Sequence, residues 1–304
     1  MNLHPRLLAF EAGLAPSPVV TIDDPELAGF GVELSIKRDD LLHAVVSGNK
    51  WRKLKYILDH ALTIGADTLV SMGGSHSNHL HALAYVGRCL GLKTAAFVRG
   101  EPPQILCPTL RDVVAFGMTL HFVSREHYRA LRQYRAHDAL PGLQAGQYWV
   151  PEGGALPLAL NGVGDMAVDI EGRADVVALA CGTATTLAGL VAALDERTRV
   201  IGIAALKGAA FLNQDVERLL AGHGRPQPEW RIALDYHHGG FGKTSLPLRH
   251  FIDHFQQAHS IPLDAVYTGK ALYAVYDLIR RRCFAPGQRI LVIHTGGLQG
   301  TRTV

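Results

Sequence analysis

The chain has 304 residues, 48% of them hydrophobic, which is enough for one large domain or two ordinary domains with a substantial core. Its 30 lysine and arginine residues nearly balance 27 aspartate and glutamate residues, and a formal charge of +3 argues against a nucleic-acid partner. No apolar run approaches the roughly 20 residues of a membrane span, and the four scattered cysteines indicate reduced thiols, so we predict a cytoplasmic protein without a membrane partner.

Short β-branched segments alternate with longer segments of helical periodicity, which is typical of parallel sheets flanked by helices. Because ligands bind beyond the carboxyl ends of strands in such sheets, a functional site is expected in the glycine-rich loops that follow several strands. The predicted strands are residues 32–36, 68–72, 94–98, 119–123, 176–180, 200–204, 231–235 and 290–294. The predicted helices include residues 50–64, 77–90, 160–172, 183–195, 246–258 and 269–282.

The segment SGNKWRKLK, residues 47–55, begins like a loop and continues as a strongly basic helix. A run of charges on a helix is usually a solvated face. The alternative is that one of these lysines is retained for chemistry. This segment alone does not decide between the two interpretations.

The segment MGGSHSNHLHALA, residues 72–84, follows a predicted strand and leads into a helix. Ser77 or Asn78 could cap this helix, or could contact a flat, polar ligand above the sheet. His76, His79 and His81 lack the i, i+4 spacing of helical metal ligands and have no carboxylate among them. We therefore predict no metal site here.

The segment CGTATTLAG, residues 181–189, places Gly182 and three threonines where a helix begins. The unpaired N–H groups and positive dipole of a helix start form an anion site that suits a phosphate monoester. Threonine is also an ordinary helix cap, so both interpretations stay open.

The segment GGFGKTS, residues 239–245, ends like a phosphate-binding P-loop between a strand and a helix. The P-loop motif requires a glycine five residues before the Gly-Lys pair, and that position is His237. An active-site loop of another kind is therefore favoured, with a P-loop nucleotide-binding protein as an alternative.

Five ordered segments are similar to those of one enzyme family: IKRDDL with SGNKWRKLKYIL, TLVSMGGSHSNHLHALA, CGTATTLAG, DAVYTGKALYAVYDLI and ILVIHTGG. Together they resemble the 1-aminocyclopropane-1-carboxylate (ACC) deaminase and D-cysteine desulfhydrase family, whose members depend on pyridoxal 5′-phosphate (PLP). The resemblance implies an α/β protein of PLP fold type II, with two domains of mostly parallel, twisted sheets flanked by helices. The larger, PLP-binding domain would combine residues 1–49 and 149–304, and the smaller α/β domain would span residues 50–148. It also implies a homodimer.

The resemblance also implies roles for individual residues. Lys50 would form the Schiff base with PLP, which agrees with the nucleophilicity of a poorly solvated lysine. Lys53 would assist the phosphate, whereas Arg52 and Lys55 would remain outer helix charges. The phosphate cup would consist of Gly182, Thr183, Ala184, Thr185 and Thr186.

Around the reacting atoms, Asn78 would hydrogen-bond the phenolic oxygen of PLP, and Ser77 would act as a base or carboxylate anchor. Tyr267 would lie near the reacting carbon, and either Thr268 or Thr295 would face the pyridine nitrogen. A non-catalytic PLP-binding protein is an alternative of another class, but the presence of both Ser77 and Tyr267 favours an enzyme.

The substrate prediction depends on Thr268, because ACC deaminases of this family have glutamate in the corresponding VYEGK motif. A carboxylate at the pyridine nitrogen keeps the ring protonated, as opening a cyclopropane requires, whereas a threonine suits loss of a good leaving group such as thiolate. We predict D-cysteine desulfhydrase-like α,β-elimination of a small amino acid to pyruvate, ammonia and sulfide. ACC deamination to 2-oxobutyrate and ammonia is the alternative.

The predicted substrate pocket departs from the family pattern. Ser75 and His76 precede Ser77 where the family commonly has IQSN, and Phe241 stands where a tyrosine is usual. His79 completes the predicted pocket. These differences leave the identity of the small amino acid open.

Overall fold

A computed structural model describes residues 3–301, which form two β-sheets flanked by helices. The strands in this range are β1 Val19–Thr21, β2 Glu33–Lys37, β3 Thr68–Gly73, β4 Lys93–Arg99, β5 Met118–Val123, β6 Gln147–Val150, β7 Val176–Cys181, β8 Arg199–Ala204, β9 Trp230–Ala233 and β10 Arg289–Ile293. The helices are α1 Pro5–Glu11, α2 Asn49–Thr63, α3 Asn78–Cys89, α4 Pro108–Ala115, α5 Arg125–Leu131, α6 Leu158–Ile170, α7 Thr185–Ala193, α8 Phe211–Leu220, α9 Leu246–His259 and α10 Thr268–Arg280.

The larger sheet has the strand order β1-β2-β10-β7-β8-β9, and only the pair β1 and β2 is antiparallel. Every residue of β7, with the sequence VVALAC, is buried, as expected for a parallel strand covered on both faces. Strand β10 comes from the end of the chain but lies inside the sheet, with Ile290 opposite Leu34 of β2 and Val176 of β7.

The smaller sheet has the strand order β5-β4-β3-β6 and is entirely parallel. Helix α2 carries apolar residues three or four positions apart, so one face of the helix is apolar. That face places Leu54, Ile57 and Leu58 in one core with Leu69 of β3 and Ala96 of β4. The first turn of α2 is thereby fixed at the carboxyl end of the sheet.

The predicted fold class is confirmed. All eight predicted strands and all six predicted helices are present, each within two residues of its predicted bounds. Strands β1 and β6 were not predicted, because they have three and four residues and are too short to show a clear alternation. The domain bounds remain a prediction; β6 crosses the proposed boundary at residue 149.

The expectation that Arg52 and Lys55 are outer helix charges is wrong, because both side chains are only 12% exposed and lie in ion pairs. Arg52 contacts the wholly buried Asp39 at 3.2 Å and Asp169 of α6 at 2.8 Å. Lys55 pairs with Asp165 of α6 and with Glu11. The pairs with Asp39, Asp165 and Asp169 join α2 to the segment after β2 and to α6, which packs against the larger sheet.

In residues 3–301, no helix combines the length and the apolarity needed to cross a membrane. The same residues contain no group of three or more histidine, cysteine, aspartate or glutamate side chains arranged to hold a metal ion.

Candidate active site

A cavity of about 370 Å³ opens where the loops at the carboxyl ends of several strands meet. The loop after β3 contributes residues 74–79, and the loop after β7 contributes Gly182, Thr183 and Thr186 of the following helix start. Thr295 and Gly296 follow β10, and the first turn of α2 completes the floor. The loops after β7 and β10 lie at one edge of the larger sheet because those strands are parallel, and the glycine-rich loop after β3 meets them from the smaller sheet.

Lys50 lies in the first turn of α2, at a junction that requires glycine. Gly48 has a φ of +67°, and a Cβ added to it would lie 1.9 Å from the carbonyl oxygen of Thr295. The next residue, Asn49, donates its backbone N–H to that same oxygen at 3.3 Å. Burial lowers the pKa of Lys50 to about 8, and the charge of Asp264 partly opposes this shift. A substantial fraction of its amine is therefore neutral near physiological pH.

Lys53 lies one turn further along α2 and is almost fully buried. Its Nζ donates to Thr183 Oγ1 at 3.2 Å, while Asn49 Nδ2 donates to Thr186 Oγ1 at 2.9 Å. Burial, and then the positive charge of Lys50, lower the pKa of Lys53 well below its ordinary value. The start of α7 and the first turn of α2 thus bring hydroxyl, amide and amine donors together at one end of the cavity. An anion bound there would offset the repulsion between the charges of Lys50 and Lys53.

Tyr267 lies against the glycine of the same loop. A Cβ added to Gly182 would lie 2.6 Å from Cε1 of Tyr267, so the ring takes the space of a side chain at that position. Burial raises the pKa of Tyr267, with the charge of Asp264 acting in the same direction. The phenol therefore stays protonated and can donate a hydrogen bond into the cavity.

Asp264, which the sequence analysis missed, holds the start of α10 in place. Its carboxylate accepts the backbone N–H groups of Val266, Tyr267 and Thr268 at 2.7–2.9 Å and the hydroxyl of Thr268 at 2.6 Å. The Asp264 carboxylate accepts the backbone N–H two residues on, which is a turn pattern recognisable in a sequence and could have indicated this residue. Thr268 consequently directs its hydroxyl to Asp264, whereas Thr295 lines the cavity.

The loop after β3 places three consecutive polar residues at the cavity. Ser77 caps α3, where its Oγ accepts the N–H of Leu80 at 3.2 Å. The Oδ1 atom of Asn78 is buried and has no hydrogen-bond partner among residues 3–301. A buried amide group of this kind is suited to a polar ligand.

His79 is held as a neutral ring. Ser71 Oγ donates its one hydrogen to the carbonyl of Val150 at 2.7 Å. His79 Nε2, which lies 2.9 Å from Ser71 Oγ, must therefore donate to that hydroxyl oxygen. Nδ1 is then unprotonated, and within the described part of the chain it has no partner. Burial and the charges of Lys50 and Lys53 lower the pKa of His79 to about 3.

Two apolar residues, Leu206 and Phe241, form the opposite wall, and the ring of Phe241 meets that of Tyr267 edge-on at 5.9 Å. Leu206 follows Ala205 and Phe241 follows Gly240, and the wholly buried Lys270 binds the carbonyl groups of both preceding residues. Its Nζ donates to the carbonyl of Ala205 at 3.1 Å and to that of Gly240 at 2.9 Å. Phe241 therefore belongs to the cavity wall, as an active-site loop requires.

Most of the predicted site residues line this one cavity: Lys50, Lys53, Ser75, His76, Ser77, Asn78, His79, Gly182, Thr183, Thr186, Phe241, Tyr267 and Thr295. Ala184, Thr185 and Thr268 are buried beside it and are not part of its lining. The residues that the sequence analysis missed are Asn49, Gly74, Arg99, Arg132, Glu152, Gly153, Ala180, Leu206 and Gly296.

A family model described as "Pyridoxal-phosphate dependent enzyme" matches residues 11–296, nearly the whole chain. The chain belongs to this family. It is therefore a PLP-dependent enzyme.

Individual relatives of this PLP-dependent enzyme agree with that assignment. An ACC deaminase of Burkholderia ambifaria is 31% identical and aligns over 98% of this chain and 96% of its own length. A D-cysteine desulfhydrase of Klebsiella pneumoniae is 31% identical over 93% and 92% of the two chains. The crystal structure of an ACC deaminase homologue is 29% identical, has a TM-score of 0.76, and covers 98% of this chain and 97% of that chain.

The residues in the cavity fit PLP. The cofactor has a phosphate, an aldehyde and a phenolic oxygen, which require anion donors, an amine and a polar partner. Lys53 and the threonine hydroxyls would supply the anion donors, Lys50 would supply the amine, and the amide of Asn78, whose Oδ1 has no partner among residues 3–301, would supply the polar partner.

Proposed function

We propose that this enzyme catalyses α,β-elimination from a small amino acid, with D-cysteine as the preferred substrate. D-Cysteine and water would give pyruvate, ammonia and sulfide. The D-cysteine desulfhydrase relative supports this choice, and the ACC deaminase relative makes cyclopropane opening the second candidate.

The absence of a free carboxylate among the described residues that line the cavity carries the proposal. Among the described residues that line it, Glu152 is the one carboxylate, and it accepts the hydroxyl of Tyr128 and the guanidinium of Arg132, each at 2.6 Å. Thr295 offers only a hydroxyl. A hydroxyl does not keep a pyridine nitrogen protonated, so elimination of a good leaving group is favoured over ring opening.

We propose that Lys50 holds PLP covalently and that the start of α7 receives the phosphate, with Thr183, Thr186 and Lys53 as donors. Ala184 and Thr185 would support this cup from behind. Asn78 would bind the phenolic oxygen and Thr295 would face the pyridine nitrogen, with Thr268 held away by Asp264. When bound, PLP supplies the electron sink that makes the Cα proton of an attached amino acid acidic.

The side chains then have separate proposed tasks. Lys50, released from the cofactor, would take the Cα proton, and its pKa of about 8 in this environment suits a general base at neutral pH. Ser77 accepts a hydrogen bond from Leu80, which leaves its own hydrogen for the substrate carboxylate. Tyr267 stays protonated and would donate to the departing sulfur.

The deciding assay offers D-cysteine, L-cysteine, β-chloro-D-alanine, D-serine and ACC in parallel to the purified holoenzyme. Pyruvate from D-cysteine and β-chloro-D-alanine, with no 2-oxobutyrate from ACC, is the expected result. Turnover of ACC alone would replace this proposal with the deaminase. If PLP is bound and none of the five reacts, the non-catalytic alternative gains, and His76 and Phe241 are the first residues to examine.

We also propose a cellular location, an oligomeric state and a division into domains. The four cysteines are free thiols, which supports a reducing, cytoplasmic location. A homodimer and the division into domains of residues 1–49 with 149–304 and of residues 50–148 rest on the family resemblance. Sedimentation of the holoenzyme tests the homodimer.

A further inference from the structure

We infer that Arg99 binds a second acidic group on the substrate, so that amino acids with an anionic side chain are accepted alongside the neutral ones. This inference rests on the proposed function, because it assumes that the cavity receives an amino acid. The acidic group would be a carboxylate, a sulfate ester or a phosphate ester attached through Cβ.

The charges that line the cavity leave Arg99 without a counterpart. The cations are Lys50, Lys53, Arg99 and Arg132, and the one carboxylate among the described lining residues is Glu152. Arg132 and Glu152 form an ion pair at 2.6 Å. Lys50 and Lys53 are committed to the cofactor under the proposed function. Within residues 3–301, the side chain of Arg99 has no hydrogen bond or ion pair, although its backbone pairs with β5.

The guanidinium of Arg99 is nevertheless held in position. Its carbon lies 5.6 Å from the centre of the ring of the buried Tyr128, a cation–π arrangement. A Cβ added to Gly74 would lie 3.9 Å from Arg99 Nη2, so the guanidinium has glycine, and no side chain, on that side. The Tyr128 ring supports the group without consuming its N–H donors.

The position of Arg99 favours a side-chain acid over the α-carboxylate. Arg99 is the last residue of β4 and is exposed, whereas Ser77, the proposed anchor of the α-carboxylate, caps α3 and is half-buried. The Cα of the substrate must approach Lys50. A group beyond Cβ can therefore extend towards the mouth of the cavity, where a planar guanidinium binds two oxygens of a carboxylate, sulfate or phosphate.

The corresponding reaction balances with water as the one further reactant. For serine O-sulfate, the Cα–H and Cβ–O bonds break, the proton passes to Lys50, and the electron pair of the Cβ–O bond leaves with sulfate. Water then hydrolyses the released 2-aminoacrylate to pyruvate and ammonia.

The test compares Arg99→Met with Arg129→Met, which removes an exposed arginine of α5 that does not line the cavity. Each holoenzyme is titrated with aspartate and with alanine, in both enantiomers, and binding is followed by the visible absorbance of the cofactor. Neither amino acid has a good leaving group, so the titration does not depend on elimination. The wild-type enzyme and Arg129→Met should bind aspartate more tightly than alanine.

For Arg99→Met, loss of a hydrogen-bonded ion pair should weaken aspartate binding about 10- to 100-fold and leave alanine binding unchanged. Turnover of serine O-sulfate and O-phosphoserine should fall by a similar factor, while turnover of D-cysteine persists. Equal weakening of both amino acids would identify Arg99 as an anchor of the α-carboxylate and overturn the inference, as would no weakening of either. Failure of D-cysteine to react would refute the proposed function by itself and leave the aspartate-to-alanine ratio to decide on Arg99.

Discussion

Lys50 and Lys53 lie one helical turn apart and both open on the cavity, where burial makes a positive charge unfavourable. The pKa of Lys50 falls to about 8, so the neutral, nucleophilic amine dominates above that pH and the unreactive ammonium below it. The rate at which the apoenzyme takes up PLP covalently should therefore rise with pH and level off above a midpoint near 8, as measured by stopped-flow absorbance. A midpoint near that of a free lysine would contradict the burial of this amine.

The matched variants are Lys50→Ala and Lys55→Ala, because both lysines belong to α2 but only Lys50 lines the cavity. After borohydride treatment, peptide mapping should find PLP on Lys50 in the wild type and in Lys55→Ala. In Lys50→Ala it should find no fixed cofactor, although some PLP should remain through its phosphate. PLP fixed at one other defined lysine in Lys50→Ala would show that Lys50 is not the attachment point.

At this scale, the sequence allowed prediction of residues that belong to a local pattern. Lys50 after a glycine turn, Ser77 at a helix start and Thr183 after a strand are recognisable within a few positions. Arg99 and Lys270 were missed because their surroundings come from distant segments, whereas the partners of Asp264 lie within four residues of it and form a local pattern. The fully buried Lys270, for instance, contacts residues 205 and 240, which only folding brings beside it.

At the scale of elements, the start of α7 and the start of α10 pack closely because Gly182 has no side chain where the ring of Tyr267 lies. Gly182→Val would place atoms where Cε1 of Tyr267 now lies, 2.6 Å from the Cβ position. Overpacking costs about 1–3 kcal/mol, so the dissociation constant of PLP should rise about 5- to 100-fold in equilibrium dialysis. Gly224→Ala, at a position with no neighbour within 4 Å, is the control and should retain PLP normally. Equal retention in both variants would place the phosphate elsewhere.

Lys270 connects α10 to the two loops that carry Leu206 and Phe241. Lys270→Met removes both hydrogen bonds but keeps a long apolar chain, so the wall should loosen and KM for D-cysteine should rise while the visible spectrum of the cofactor stays unchanged. Lys243→Met, at an exposed lysine in the loop that carries Phe241, is the control.

If Lys270 acts through the position of Phe241, the effects of Lys270→Met and Phe241→Leu on KM should not add in the double variant. Additive effects would show that Lys270 supports the protein without positioning this wall.

At the scale of the whole molecule, the ion pairs of α2 connect the two sheets. Arg52→Met would leave Asp39, which is wholly buried, with Ser17 as its remaining hydrogen-bonding side chain. Breaking a buried pair by removing one partner costs about 3–5 kcal/mol, and the free energy of unfolding in urea should fall by about that amount. Arg218→Met breaks the exposed pair with Asp215 and should cost less than about 1 kcal/mol. Similar values for the two variants would mean that Asp39 gains another donor or solvent.

The alternation of strands and helices was enough to predict the fold class, since long buried strands such as β7 have a distinct apolar sequence. The order of strands within the larger sheet is not contained in such local patterns. It arises from pairing between remote segments, as when Ile290 aligns with Leu34 and Val176.

That pairing has a consequence for synthesis. The four strands of the smaller sheet emerge from the ribosome within residues 68–150, so this sheet can assemble on the nascent chain. One edge of strand β2 stays unpaired until residues 289–293 have been translated, because β10 is its partner on that side. The open edge of β2 is thus exposed for almost the entire time of translation, and unpaired strand edges promote aggregation. Slower elongation anywhere between β2 and β10 should therefore increase the need for chaperones, while slower elongation before residue 33 should not.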